Sequence, residues 1–373
     1  MSAALAVWVN GTCAAQISAD AVGGFCLEYT PEWLLYDQCY PFSPHLPLAS
    51  RSCGVEVRNF FANLLPEGAA LDVAASLHNL SRHDAFGLLS RLGREVAGAL
   101  MIVPAKESPN ASEIALAEYR FRPLPMQELS QRIRQRAYTP FSVWDGRVRL
   151  SIAGFQDKLA VCFDQQGNMF LPDGAASSTH IVKPENANAQ FFCMPANEYF
   201  CMNLARALKL NVPPVALLHI PDALYQVQRF DRKMQVTQAL QSESAPVVRL
   251  HQIDLCQVLN LSVEMKYQQA WEFSPEGASY GDLFHAAKST VEPLRAKMAL
   301  LRWAVFNYLI GNTDAHAKNV SFFIDRSGLR LAPFYDLVSG TVYGLKNLAL
   351  FIGKEEEIGL VGANDWVAFC QQN

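Results

Sequence analysis

The chain has 373 residues, half of them apolar and 18% charged, with a formal net charge of −4. That length accommodates two or three domains with a sizeable core. No apolar run approaches the ~18 residues a membrane span needs, and the mild acidity argues against a stand-alone nucleic-acid binder, which carries a basic excess. Nine cysteines are scattered without any C-x-x-C pair. They read as separate thiols of a reducing cytoplasm, with neither a disulfide framework nor a zinc site. The N-terminus, MSAALAVWVNG, lacks the basic region and cleavage site of a secretory signal.

Residues 1–105 read as a first α+β module. Strand-like runs at 4–9 and 12–17 flank Asn10-Gly11, a strong type I′ hairpin signal. Residues 24–29 add a strand, and 55–65 carry apolar residues at helical intervals. Asp84 caps a second helix over 84–92, and 95–103 is strand-like. Nothing in this module resembles a nucleophile, a metal cluster or a phosphate loop.

Residues 106–245 read as a second, strand-rich module. Its first part, to about 125, is mixed and polar, a connection. Residues 126–136 form a basic amphipathic helix whose arginines suit a solvated face. Strands at 146–152 and 157–163 are interrupted by Ala153-Gly154-Phe155-Gln156. A turn of this kind can cradle phosphate with backbone N–H groups, although on this segment alone an ordinary hairpin is the stronger reading. Lys183 lies on a strand over 178–184, and Glu198 on a helix over 196–208. A strand lysine followed by a helix glutamate is how a phosphate-binding lysine is positioned for phosphoryl transfer. Strands at 217–220 and 224–230 end in QRFDR, where the chain passes into a helical half and could offer backbone groups to an adenine edge.

Residues 246–373 read as mainly helical, with helices at 248–261, 280–287 and 291–307. The last one runs into LIGNTDAHAKN at 309–319. Asp314 and Asn319 stand five apart, the interval of a kinase catalytic loop. A strand follows at 320–324, another at 329–332, and then Asp336 in PFYD. Singly, Asp314, His316, Asn319 and Asp336 are ordinary loop residues. Their joint order, with Lys183 upstream, points to phosphoryl transfer: Lys183 on the phosphates, Asn319 and Asp336 on Mg²⁺, Asp314 as proton acceptor.

The segments SIAGFQDKLAV, THIVKPE, VQRFDR, LIGNTDAHAKNVSFFI and LAPFYDLVS, together with NFFANLLPEG and LGREVAGAL, resemble the HipA-like serine/threonine kinases, the toxin halves of HipBA-type toxin–antitoxin pairs. The likeness runs from about residue 5 to residue 350. It implies an α+β, two-lobed protein-kinase-like fold with an additional N-terminal subdomain, a helical C-lobe cut short at Asn373, and ATP and Mg²⁺ as ligands. Carried over by position, it implies a phosphate loop at Ala153, Gly154, Phe155, Gln156, Asp157 and Lys158. The adenine hinge falls at Gln228, Arg229 and Phe230, with Gln228 where family members carry Glu. Nucleotide contacts fall at His316, Ala317, Lys318 and Asn319, and the metal-binding pair at Tyr335 and Asp336. Ser151 matches the serine whose autophosphorylation silences the kinase. The implied partners are a HipB-like helix-turn-helix antitoxin, operator DNA through that antitoxin, and a cytoplasmic translation protein such as a glutamyl-tRNA synthetase; no membrane is implied. Two other readings stay open: a small-molecule kinase, and an impaired, truncated paralogue that only binds the antitoxin.

Overall fold

The computed structural model describes residues 4–19, 24–49, 51–107, 119–136, 138, 140–149, 156–174, 176–234, 247–269 and 276–373. The first module is built on a five-stranded antiparallel sheet ordered Ser52–Cys53, Phe25–Tyr29, Thr12–Ala19, Ala4–Val9, Leu100–Pro104. Asn10 and Gly11 both take positive φ, 46° and 93°, as the type I′ turn requires. Side chains alternate along the first strand. Leu5, Val7 and Val9 face the main core, whereas Ala6 and Trp8 pack with Met101 and Val103 on the other side. The helices Val55–Ala62 and Ala85–Leu92 pack on this sheet.

The expectation of nine separate thiols fails at one pair. Phe25–Tyr29 and Ser52–Cys53 run antiparallel with Cys26 opposite Cys53, their Cα atoms 4.1 Å apart, and the two are joined as a disulfide. The pairing depends on a two-residue edge strand that composition does not reveal.

The second module is a six-stranded antiparallel sheet ordered Val215–His219, Ala223–Gln228, His180–Pro184, Leu159–Phe163, Met169–Gly174, Tyr119–Pro123. Its edge strand, Tyr119–Pro123, lies in the stretch read as a connection: arginines at alternate positions hide an edge strand behind a polar composition. The expected strand over 146–152 is only a two-residue rung, Arg147–Val148, paired with Val143–Trp144; residues 150–152 lie outside the described residues. The Met194–Ala207 helix packs on Val215–His219 and Ala223–Gln228.

The expected helix over 248–261 is helical only in its second half. Val247–Arg249 pairs with Arg232–Met234, Gln252–Asp254 pairs with Ser321–Asp325, and only Leu255–Leu259 is helical. The long helix is Pro293–Ile310, with Pro293 in its first turn and Gly311 at φ 71° ending it. A Cβ on Gly311 would also sit 2.1 Å from Thr341 Oγ1. Among the described residues no helix is long and apolar enough to cross a membrane.

Candidate active site

Lys183 lies on the His180–Pro184 strand, opposite Tyr225 of the neighbouring strand. Its ammonium donates to both Glu198 oxygens, at 2.8 and 3.0 Å, and to Asp336 Oδ1 at 2.5 Å. Glu198 comes from the second turn of the helix that packs on this sheet. Burial alone would discharge the lysine, but Asp336 and Glu198 outweigh it and hold the ammonium charged. Burial likewise works against the Asp336 charge, and Lys183 with Lys158 overcomes it, keeping that carboxyl well below the usual range. At Glu198 burial prevails, and its carboxyl is pushed up to about 7. Asp336 has φ 58°, a left-handed backbone that non-glycine residues adopt sparingly and that recurs at functional sites.

Gly311 turns the chain out of the long helix into the Asn312–Asn319 loop. The Asp314 N–H donates to Asn312 Oδ1 at 3.0 Å, and the Asp314 carbonyl accepts from Asn319 Nδ2 at 2.7 Å. Its carboxylate accepts from the Tyr267 hydroxyl at 2.9 Å and is half-exposed to a cleft of about 730 Å³ that also reaches His316 and Asp336. Partial burial in the cleft wall pushes the carboxyl up to about 6, against the opposing Tyr267 hydrogen bond. His316 stands beside it, with Nε2 4.0 Å from Asp314 Oδ1. Burial lowers the imidazole pKa well below its ordinary value, so His316 is neutral.

A cavity of about 120 Å³ joins these parts. Lys158, Lys183, His316, Asn319 and Asp336 line it together with the Gln228–Phe230 stretch, Lys318 and Tyr335. Burial and the repulsion of Lys183 bring Lys158 down to about 8. Gln156 faces the larger cleft instead, with its Nε2 buried and unpartnered. Asp157 is half-buried, and Ala317 is fully buried in the short Ala317–Asn319 turn. Ser151, Ala153, Gly154 and Phe155 lie outside the described residues. The Tyr335 hydroxyl donates to the Lys318 carbonyl at 2.6 Å and pairs with Ser321 Oγ, while its ring lies against Phe230. The Arg229 side chain turns into the core, where it meets Asp231, Glu95 and Ser178.

The residues present fit Mg²⁺. Asn319 Nδ2 is committed to the Asp314 carbonyl, which leaves Oδ1 as the atom to face a cation, and Asn319 and Asp336 line one cavity. One carboxylate and one carboxamide suit an ion that keeps waters and phosphate oxygens in its shell. Among the described residues no trio of His, Cys, Asp or Glu forms a dedicated cage. Sequence reasoning passed over Tyr267, Asp254 and Asn63 as site residues, because they lie far from the loop along the chain and meet it only in the folded molecule.

A strand-rich lobe holding a buried lysine–glutamate pair, set against a lobe whose Asp–Asn loop faces it, defines a protein-kinase-like fold. The chain belongs to the HipA family. The family's HipA-like C-terminal domain matches residues 150–372, and its HipA N-terminal domain matches residues 5–103. The serine/threonine-protein kinase toxin HipA of Shewanella oneidensis is 35% identical, over 95% of this chain and 79% of that protein. A putative kinase, Y4mE, of Sinorhizobium fredii is 32% identical, over 99% of this chain and 85% of its own. The solved complex of Shewanella oneidensis HipA, HipB and operator DNA superposes with a TM-score of 0.85 at 34% identity, covering 98% of this chain and 84% of that one.

Proposed function

We propose that this chain is an ATP·Mg²⁺-dependent serine/threonine protein kinase of the toxin type, acting on a cytoplasmic translation protein. The observation that carries it is the buried Lys183–Glu198 pair sharing Asp336 across a cavity from Asn319. Lys183 would bind phosphate charge, and Asn319 and Asp336 would hold the metal. Bound Mg²⁺ supplies neutralisation of charge on the transferring phosphoryl group. Asp314, raised to about 6 and open to the cleft, would orient a substrate hydroxyl and accept its proton. The Gln228–Phe230 stretch would receive the base. The three-part division at 1–105, 106–245 and 246–373, silencing through Ser151, and a translation target such as a glutamyl-tRNA synthetase belong to the same proposal. So does a HipB-like antitoxin partner carrying the complex to operator DNA, supported by the likeness to a protein solved with HipB and operator DNA.

Incubation with labelled ATP and Mg²⁺, followed by mapping of the label, tests this reading. Label on Ser151 and on an added translation protein is expected, and Asp314→Ala should lower the rate by ~10²–10⁴. Label on a metabolite alone would instead favour a small-molecule kinase. A well-folded chain that binds no ATP·Mg²⁺ would overturn the proposal.

A further inference from the structure

Lys318 precedes Asn319, yet its ammonium is held by other parts of the molecule. It donates to Asp254 Oδ2 at 2.5 Å, to the Asn63 carbonyl at 3.0 Å and to Asn63 Oδ1 at 2.9 Å. An ammonium has three donors, so these acceptors take all of them. The residue is only 5% exposed. Both receptors are themselves fixed. Asp254 caps the Leu255–Leu259 helix in a reciprocal capping box with Gln257. Asn63 ends the Val55–Ala62 helix, and its Nδ2 donates to the Asn59 and Leu261 carbonyls, each at 2.9 Å. On the other side of Lys318, its carbonyl accepts from Tyr335, the neighbour of Asp336, and Asn319 follows it in the chain.

We propose that Asn63, within the region matched by the N-terminal family domain, is a positioning residue: by seating Lys318 it sets Asn319 and Asp336 for the divalent cation. The first module is then part of the phosphoryl-transfer apparatus, and Lys318 anchors the loop without itself binding phosphate. This inference rests on the nucleotide reading above.

The test is calorimetric binding of a non-hydrolysable ATP analogue with Mg²⁺ and, separately, with chelator, together with a thermal melt of each variant. The wild-type chain should bind more tightly with Mg²⁺. Asn63→Ala should lose about tenfold of the Mg²⁺-dependent affinity, the scale of a hydrogen bond to a charged group, while binding in chelator stays within about twofold. Should Asn63→Ala not fold, Lys318→Met carries the same expectation. Equal losses with and without Mg²⁺, which a phosphate-binding Lys318 or a general structural role would give, overturn the inference, as does a folded Asn63→Ala with intact enhancement. A wild-type chain that binds no nucleotide overturns the proposed function itself, and this inference with it.

Discussion

At Lys183 one ammonium pairs with two carboxylates, Glu198 at 2.8 Å and Asp336 at 2.5 Å. Lys183→Met removes the charge and keeps the stem. It should destabilise the fold by about 3–5 kcal/mol, the cost of breaking a buried pair from one side, and abolish nucleotide binding. Denaturant melts with and without ATP·Mg²⁺ measure both effects. A second residue sets an acid limit. His251 is buried, stacked on Tyr40, with Nε2 against the Phe42 carbonyl, and burial lowers it from 6.5 to about 4. In the unfolded chain it takes a proton below about pH 6.5, whereas the folded chain does not until about pH 4. The unfolded state therefore binds more protons between those values, so stability rises with pH through that window and is lost as pH falls. At pH 5 the loss relative to neutral pH should be about 2 kcal/mol from this residue. His251→Gln, which keeps an N–H donor and does not titrate, should flatten the pH dependence of the melt by one proton.

Single elements differ in how far the sequence reveals them. The Lys183 strand, the Glu198 helix and the Asp314–Asn319 loop were legible because each couples a clear period to a chemical residue, and their order along the chain is their order in the site. The 248–261 stretch was misread because its apolar positions suit a helix on paper, whereas Arg249 and Gln252 are buried on strands paired to neighbours. Partners such as Asn63 and Lys318 lie 255 residues apart and share no local pattern. At the proposed catalytic loop the decisive element is a helix end. Gly311 combines φ 71° with contact to Thr341, so Gly311→Ala meets both a disfavoured backbone and a blocked Cβ. A loss of about 1–3 kcal/mol is expected, with turnover falling further than nucleotide affinity because the Asp314 loop starts there. Steady-state kinetics beside a thermal melt separate the two.

Over the whole molecule, the first module is joined to the kinase-like lobes by buried charge. Glu95 receives Arg229 at 2.7 Å, Arg232 at 3.3 Å and Arg249 at 3.2 Å, and Asp231 pairs with Arg229 and Arg232, at 2.8 and 2.9 Å. The Gly98 N–H donates to Asp231, and the Gly98 and Val96 carbonyls accept from Arg232. Three guanidiniums meet two carboxylates directly behind the Gln228–Phe230 stretch, so the module boundary is also the back wall of the proposed base pocket. Charges this deep are little screened by salt, unlike exposed pairs. Glu95→Gln keeps the shape and removes the charge that all three arginines share. It should cost about 3–5 kcal/mol, because a carboxylate that offsets the repulsion among three buried guanidiniums is neutralised. The loss should persist in high salt. Because the contact spans the first module and the proposed hinge, the variant should also expose the junction to protease before the lobes themselves unfold, and its nucleotide affinity should fall in parallel. Limited proteolysis and nucleotide titration across a salt series read both effects; a Glu95→Gln protein with wild-type stability and an intact junction would show that the arginines find their compensation elsewhere.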